Sequence, residues 1–141
     1  MILYLAADLI WASKIKATAD SLGLACRPVR TLEMLEARLA DSDVRALILD
    51  LDVAEMAMTM LARVKREQQS ARTADQQIEA LRVTGTARKI CVVAFGPHVA
   101  REELRAAREA GADEVLTRGA FDHNMDQVLL RLAGGVGGVK A

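Results

Sequence analysis

The stretch Ile90-Cys91-Val92-Val93-Ala94-Phe95, which Gly96-Pro97 ends, gives the strongest strand signal in the 141-residue chain. Six consecutive apolar residues are typical of a strand that is covered on both faces, as in a parallel sheet. Four further strands are predicted outward from it, at residues 2–6, 24–29, 46–49 and 114–117. Pro28 assigns the second of these to an edge or an end of the sheet, because proline cannot donate to a strand ladder.

Helical spacing separates these strands. Apolar residues recur at i, i+3 and i+4 in five segments: Trp11 to Leu22, Leu32 to Leu39, Val53 to Val64, Leu104 to Ala110 and Met125 to Leu132. Asp52 with Glu55 predicts a capping box at the third helix, and Asp122 predicts the cap of the last one. The alternation predicts an α/β fold with an open, doubly wound parallel sheet and helices on both faces. A single domain is expected over residues 1–133, followed by a flexible glycine-rich tail at 134–141.

The third helical region has an unusual extension, because no large apolar residue lies between Val64 and Ile78. Such an interval cannot lie against a core, so residues 65–77 are either a projecting helix or a loop. Residues 61–90 carry a net charge of +4, with seven bases and three acids, whereas residues 31–56 carry −5, with seven acids and two bases. The extension at 64–85, with Arg66 and Arg72, is therefore a solvated segment or a docking arm for an acidic partner or a second copy.

Composition excludes several classes of protein. Nineteen basic residues balance nineteen acidic ones and aromatic residues make up 3%, so nucleic acid and anionic membranes are not expected as partners. Two cysteines suit neither a four-ligand metal site nor a disulfide framework. The apolar runs are far shorter than the roughly 20 residues of a membrane span, and the amino-terminal run lacks a preceding basic residue. We expect a cytoplasmic protein.

In an open parallel sheet, sites form at the carboxyl ends of the strands. The residues that fall there are Asp8, Asp50 and Asp52, Gly96, and Thr117 with Arg118. No nucleophile is paired with a base among them, so an enzyme is not expected.

Two of these places carry a resemblance to a known family. Leu47-Ile48-Leu49-Asp50 and the run from Glu109 to Arg118, EAGADEVLTR, resemble the receiver domain of two-component response regulators, over roughly residues 1–133. The resemblance implies a flavodoxin-like fold with strand order 2-1-3-4-5 and a function in bacterial two-component signalling. It also implies that Asp50 matches the aspartate that receives a phosphoryl group, with Mg²⁺ and a lysine neutralising the charge.

The sequence departs from that family's reactive set. The acidic pair of the first strand is replaced by Ala6-Ala7, the hydroxyl residue after the fourth strand by Gly96, and the lysine by Arg118. Mg²⁺ is not expected, because the loss of two carboxylate ligands removes most of its affinity. Asp8 and Asp52 could still form a displaced metal site with Asp50, or they cap helices. Asp50 itself is either an atypical phosphoacceptor or a buried polar residue that pairs with Arg118.

These observations predict a stand-alone, degenerate receiver-like module that acts through protein contacts without phosphorylation. Two alternatives remain: phosphorylation of Asp50 by a histidine kinase, and a small molecule bound in the space vacated around Ala6, Ala7 and Gly96. The predicted contact surfaces, for a protein partner or a homodimer, are the extension at 64–85 and the face formed by residues 98–132. On that face three arginines recur at i, i+4 and i+7, a pattern more typical of a solvated helix face than of a contact surface, namely Arg101, Arg105 and Arg108.

Overall fold

Five short apolar segments pair side by side in a computed structural model that describes residues 1–79 and 90–134. They are β1 (Ile2–Leu5), β2 (Cys26–Pro28), β3 (Ala46–Asp50), β4 (Cys91–Gly96) and β5 (Glu114–Thr117). All neighbouring pairs are parallel and the strand order is β2-β1-β3-β4-β5. The predicted fold class and order are confirmed, and the strand that contains Pro28 lies at an edge.

Helices follow each strand. They are α1 (Leu9–Ser21), α2 (Leu32–Asp41), α3 (Ala54–Glu79), α4 (Arg101–Glu109), α5 (Arg118–His123) and α6 (Met125–Gly134). Asp8 and Thr31 cap α1 and α2, since their side-chain oxygens accept from the backbone amides of Trp11 and Met34. Gly111 follows α4 at φ 107°, a conformation that favours glycine.

The sheet separates two apolar layers, because side chains alternate across each strand. Leu47 and Leu49 of β3 face the layer that contains α2, α3 and α4. Ala46 and Ile48 face the opposite layer, where α1 and α6 pack. Helices therefore cover both faces, as the continuous apolar strands predict.

The long helix α3 answers the question that the sequence left open about residues 65–77, because its backbone is helical through Glu79. Arg63 ties its middle to α2 and to its own next turn through ion pairs with Glu36 (2.9 Å) and Glu67 (3.0 Å). Gln68 Nε2 donates to the carbonyl of Ile90, directly before β4 (2.8 Å). The helix thus reaches the amino end of β4 at Gln68 and continues beyond it.

Two predicted caps are wrong. A 3₁₀ turn over Leu51–Val53 precedes α3, and Asp50 caps it, so Asp52 lies inside the turn. The last helical segment is divided, because Thr117 caps the short α5 with a hydrogen bond from Ala120. Asp122 therefore lies inside α5, where its carboxylate pairs with Lys14 (3.0 Å).

The carboxyl-terminal helix includes Gly134, and the remaining residues of the predicted tail, 135–141, lie outside the described part of the chain. Residues 80–85 of the predicted docking arm also lie outside it. Within the described ranges, no helix has both the length and the hydropathy needed to cross a membrane.

Candidate functional site

Asp50 ends β3 with its side chain fully buried, and it is the buried charged residue of the described core. Its Oδ2 atom accepts a hydrogen bond from the backbone amide of Ala7 (2.8 Å), and Oδ1 accepts from the amide of Asp52 (3.0 Å). The carboxylate therefore joins the end of β1 to the turn after β3. Both of its oxygen atoms are engaged by the protein itself.

Burial dominates the titration of this group. Desolvation raises the pKa of Asp50 above the ordinary aspartate value, although the amide hydrogen bonds from Asp52 and Ala7 act in the opposite direction. The negative charge of Asp52 raises the pKa further, and the more distant guanidinium of Arg118 lowers it.

Arg118 begins α5 at the end of β5, and its guanidinium forms an ion pair with the carboxylate of Asp52. Its Nη2 atom is 4.0 Å from Asp50 Oδ1, so the predicted Asp50–Arg118 pair is the weaker of its two contacts. The guanidinium carbon lies 5.5 Å from the ring centre of Trp11. Arg118 is thus held between Asp52 and Trp11, and its Nε atom is buried without a hydrogen-bond partner among the described residues.

The three predicted acidic ligands have separate tasks. Asp8 caps α1 through its Oδ1 atom, which accepts from the amide of Trp11 (3.0 Å), as the capping hypothesis predicts. Asp52 pairs with Arg118, and Asp50 accepts the two amides. Among the side chains that the structure describes, those of residues 1–68 and 90–133, no three from histidine, cysteine or acidic residues are grouped so as to hold a metal ion.

Gly96 ends β4 in a buried position that Leu51 closes. A Cβ atom built on Gly96 would lie 3.2 Å from Leu51 Cβ and 3.8 Å from a methyl carbon of Leu104. Leu51 comes directly after Asp50 and is buried. A side chain at this position would therefore be in tight contact with Leu51, which would have to move by a few tenths of an ångström.

Three aromatic side chains pack together in the apolar layer next to this end of β4. Phe95 stacks on Phe121 with ring centres 4.4 Å apart, and Trp11 lies against both rings. Sequence analysis placed Trp11 only on a helical stripe and did not single out Leu51. The sequence signal for Leu51 was the apolar residue between two aspartates in the turn after β3.

Neither of the two grooves found among the described residues is lined by all three residues of the predicted small-molecule pocket, Ala6, Ala7 and Gly96. Ala6 and Ala7 line a groove of about 430 Å³ beside α1, and Gly96 is not part of its lining. A second groove, of about 440 Å³, lies on the other side of the site and is lined by Trp11, His98, Thr117 and Arg118 among others.

The predicted interaction residues lie on two helices, α3 and α4. Arg101, Arg105 and Arg108 are exposed on α4, and none forms an ion pair with a described residue. Arg66 is exposed on α3, and Arg72 belongs to the same helix. The structure therefore does not bring these residues together with Asp50.

Neither a family profile nor a curated protein matches the sequence of the chain. Solved structures do match its shape. The co-crystal structure of the Saccharomyces cerevisiae histidine phosphotransfer signaling protein Ypd1 and the receiver domain of its downstream response regulator Ssk1 contains a chain that superposes with a TM-score of 0.70. The identity is 11%, with 98% of this chain and 90% of that chain covered.

Two bacterial structures are similar over nearly their whole length. A response regulator from Thermotoga maritima matches with a TM-score of 0.64 and 9% identity, covering 94% of this chain and 95% of that one. The receiver domain of the Francisella response regulator 1452 matches at 0.61 and 12%, covering 96% and 97%. With the observed strand order and the position of Asp50, these matches show that the chain has the fold of a response-regulator receiver domain.

Proposed function

We propose that the chain is a cytoplasmic receiver-like module of two-component signalling that acts through protein contacts without being phosphorylated. The observation that carries this proposal is the environment of Asp50. In a phosphoryl-transfer site the carboxylate must be free to attack and its charge must be stabilised. Here both oxygen atoms accept backbone amides, and burial raises the pKa of the group.

The surroundings of Asp50 also argue against Mg²⁺ chemistry. Mg²⁺ requires near-octahedral oxygen ligands and is held by carboxylates that have free lone pairs. The carboxylate of Asp52 is engaged by Arg118, and that of Asp8 caps α1. Because these carboxylates already have partners within the chain, our proposal gives Mg²⁺ no role.

The position at the end of β4, where a switching receiver has a side chain that moves, is also altered. A receiver that switches needs room for a side chain to move at the end of β4 when the site is occupied. Gly96 has no side chain, and Leu51 fills the space beside it. Since packed cores are not continuously deformable, this arrangement favours one state.

Contact with partners is the mode of action that we assign to this module. The exposed arginines of α4 and the α3 extension are the surfaces that we assign to partner or homodimer contacts. The S. cerevisiae structure named above holds a receiver domain together with a phosphotransfer protein, which supports protein contact as the mode of action.

The test is exposure of the full chain to a phosphodonor. The protein is incubated with acetyl phosphate, or with beryllofluoride, in Mg²⁺ at millimolar concentration, and intact mass and amide NMR shifts are recorded. We expect no phosphoryl adduct and no shifts around Asp50. A conventional receiver domain treated in parallel is the positive control.

An adduct, or shifts that cluster at Asp50 and disappear in Asp50→Asn but persist in Asp126→Asn, would refute the proposal. That result would establish the alternative, an atypical receiver phosphorylated on Asp50. Asp126→Asn is the matched control because Asp126 is an exposed aspartate on α6 that was not a candidate ligand and whose side chain accepts from the neighbouring amide of Gln127.

A further inference from the structure

The groove beside α1 is a mostly apolar recess at the carboxyl ends of β1 and β2. Four elements supply aliphatic residues to its lining: Leu5 at the end of β1, Leu9 on α1, Val29 after β2 and Met56 on α3. Its volume of about 430 Å³ lies within the range of roughly 300–1,000 Å³ that is usual for small-molecule sites. Such a site also needs a few polar groups that fix the orientation of the ligand.

Tyr4 supplies the first polar group, a hydroxyl without a hydrogen-bond partner among the described residues. The residue lies in the lining of the groove and is only 5% exposed. Buried tyrosine hydroxyls usually find a partner, because an unsatisfied polar group in an apolar environment is costly. Within the described part of the chain, Arg118 Nε is the fully buried side-chain atom that lacks a partner, so the Tyr4 oxygen is not sealed off. An occupant of the groove can therefore reach it.

Two opposite charges lie in the same lining without pairing with each other. Arg30 follows β2, is exposed and forms no ion pair with a described residue. Burial raises the pKa of the Tyr4 hydroxyl, and Arg30 is close enough to oppose that rise. Asp8 accepts the amide of Trp11 through Oδ1, which leaves its Oδ2 atom without a donor from the described residues. The groove thus offers a guanidinium, a carboxylate oxygen and a hydroxyl.

These three groups distinguish between classes of small molecule. A simple anion would pair with Arg30 but would face the negative charge of Asp8, and a simple cation would have the reverse problem. A wholly apolar molecule would cover the Tyr4 hydroxyl and leave it unsatisfied. A zwitterion with an apolar body satisfies all three groups at once. An α-amino acid with a large aliphatic or aromatic side chain is a compact molecule of this kind.

We infer that this groove binds a free α-amino acid with a large apolar side chain. The carboxylate of the ligand pairs with Arg30 and accepts a hydrogen bond from the Tyr4 hydroxyl. Its ammonium group donates to Asp8 Oδ2, and its side chain occupies the apolar recess. The inference goes beyond the proposed function, because it gives the module a small-molecule input in addition to its protein contacts.

The test is a titration of the full chain with L-leucine and with L-phenylalanine, followed by amide NMR shifts. We expect saturable shifts confined to residues 4–12, 28–31 and 53–56. The dissociation constant should be roughly 0.1–1 mM, because so small a ligand has few atoms to contact the protein. Isocaproate is leucine without the ammonium group, isoamylamine is leucine without the carboxylate, and glycine lacks the apolar side chain. Each should bind at least about tenfold more weakly than leucine.

Variants assign the polar contacts. Arg30→Gln and Asp8→Asn should each weaken leucine binding by about tenfold, and Tyr4→Phe by about fivefold, because a neutral donor contributes less than a charged group. Asp8→Asn keeps the helix cap, since asparagine also caps helices. Asp8→Asn should not weaken isocaproate binding, because that compound has no ammonium group to lose. Arg27→Gln is the matched control and should bind leucine normally, since Arg27 is an exposed arginine of β2 outside the lining.

Several results would overturn the inference. They are the absence of saturable shifts at about ten times the expected dissociation constant, or a response of Arg30→Gln that equals that of Arg27→Gln. Isocaproate that binds as tightly as leucine would identify a simple carboxylate as the occupant and would also overturn it. Failure of the proposed function is a separate result, because it appears as a phosphoryl adduct on Asp50 in the phosphodonor experiment without any amino acid.

Discussion

At the carboxyl edge of the sheet, the half formed by β4 and β5 is filled by side chains, whereas the half formed by β1 and β2 is open. On the filled half, Leu51 packs against Gly96, and Phe95 stacks on Phe121. On the open half, Ala6 and Ala7 line a groove that no described side chain enters. Both halves have small residues where the receiver family has reactive ones.

The difference shows that the effect of a small residue depends on what its neighbours can reach. Gly96 lies beside the 3₁₀ turn after β3, and the Leu51 side chain reaches the space above it. Ala7 instead donates its amide to Asp50 and leaves its own side chain exposed. Small residues therefore accompany a closed half of the edge at Gly96 and an open half at Ala6 and Ala7.

The filled half should not accept a larger residue. Gly96→Thr is expected to destabilise the protein by about 1–3 kcal/mol, because its Cβ would approach Leu51 Cβ closely and overpack the site. Urea unfolding followed by circular dichroism measures the change. In a Leu51→Ala background the same threonine should cost less, with a coupling of at least about 0.5 kcal/mol.

Gly119→Ala is the matched control for that experiment. Gly119 lies in α5, and a Cβ built on it meets nothing within 4 Å. Alanine there should stabilise the protein by about 0.4–1 kcal/mol, because it has the higher helix propensity and restricts the unfolded chain. If Gly96→Thr behaves like Gly119→Ala, Leu51 does not close the site.

Asp50, which lies between the two halves of the edge, should make the free energy of unfolding depend on pH. Its folded pKa is raised by burial, so the stability it contributes is fully present below its unfolded pKa and is lost as pH rises through the folded value. The free energy of unfolding should therefore fall with rising pH in this window, relative to Asp50→Asn, by at most about 1.4 kcal/mol per pH unit.

The measurement is urea unfolding of both proteins across the acidic range. Groups such as Glu36, whose pKa is lowered by Arg63, contribute equally to both and cancel in the difference. Any pH-independent destabilisation caused by the asparagine shifts the plot of this difference against pH up or down but does not change its slope. If the free energy of unfolding of the native chain minus that of Asp50→Asn rises with pH or stays constant, the pKa of Asp50 is not raised in the folded protein.

Most of the fold could be predicted from the sequence because it depends on periodicity. The continuous apolar runs of β1, β3 and β4 identify buried parallel strands, and Pro28 identifies an edge. The boundaries near Asp52 and Asp122 were predicted wrongly. Asp50 caps a 3₁₀ turn that contains Asp52 and precedes α3, and Thr117 caps a separate short helix that contains Asp122 and precedes α6.

The candidate site was predicted only in part. The strand ends locate Asp50, Gly96 and Arg118 at one edge, because the carboxyl ends of parallel strands meet there. The sequence could not show which carboxylate Arg118 contacts, since Asp50 and Asp52 are two residues apart and the choice depends on side-chain geometry. The closure of Gly96 by Leu51 likewise depends on packing, which no sequence pattern encodes.

The ion pair on the filled half should matter less than its packing. Arg118→Met removes the contacts with Asp52 and with the ring of Trp11, and a partly exposed pair of this kind is worth about 0–1 kcal/mol. The emission of Trp11, the only tryptophan, should change together with this small loss of stability. Lys14→Met is the control, because Lys14 also lies near that ring (5.1 Å) but does not contact Asp50 or Asp52.

A loss above about 2 kcal/mol would mean that the guanidinium offsets the buried charge of Asp50, because an uncompensated buried charge costs more than a surface pair. The filled half would then be held by electrostatics, and the contrast with the open half would lie in charge and not in side-chain volume.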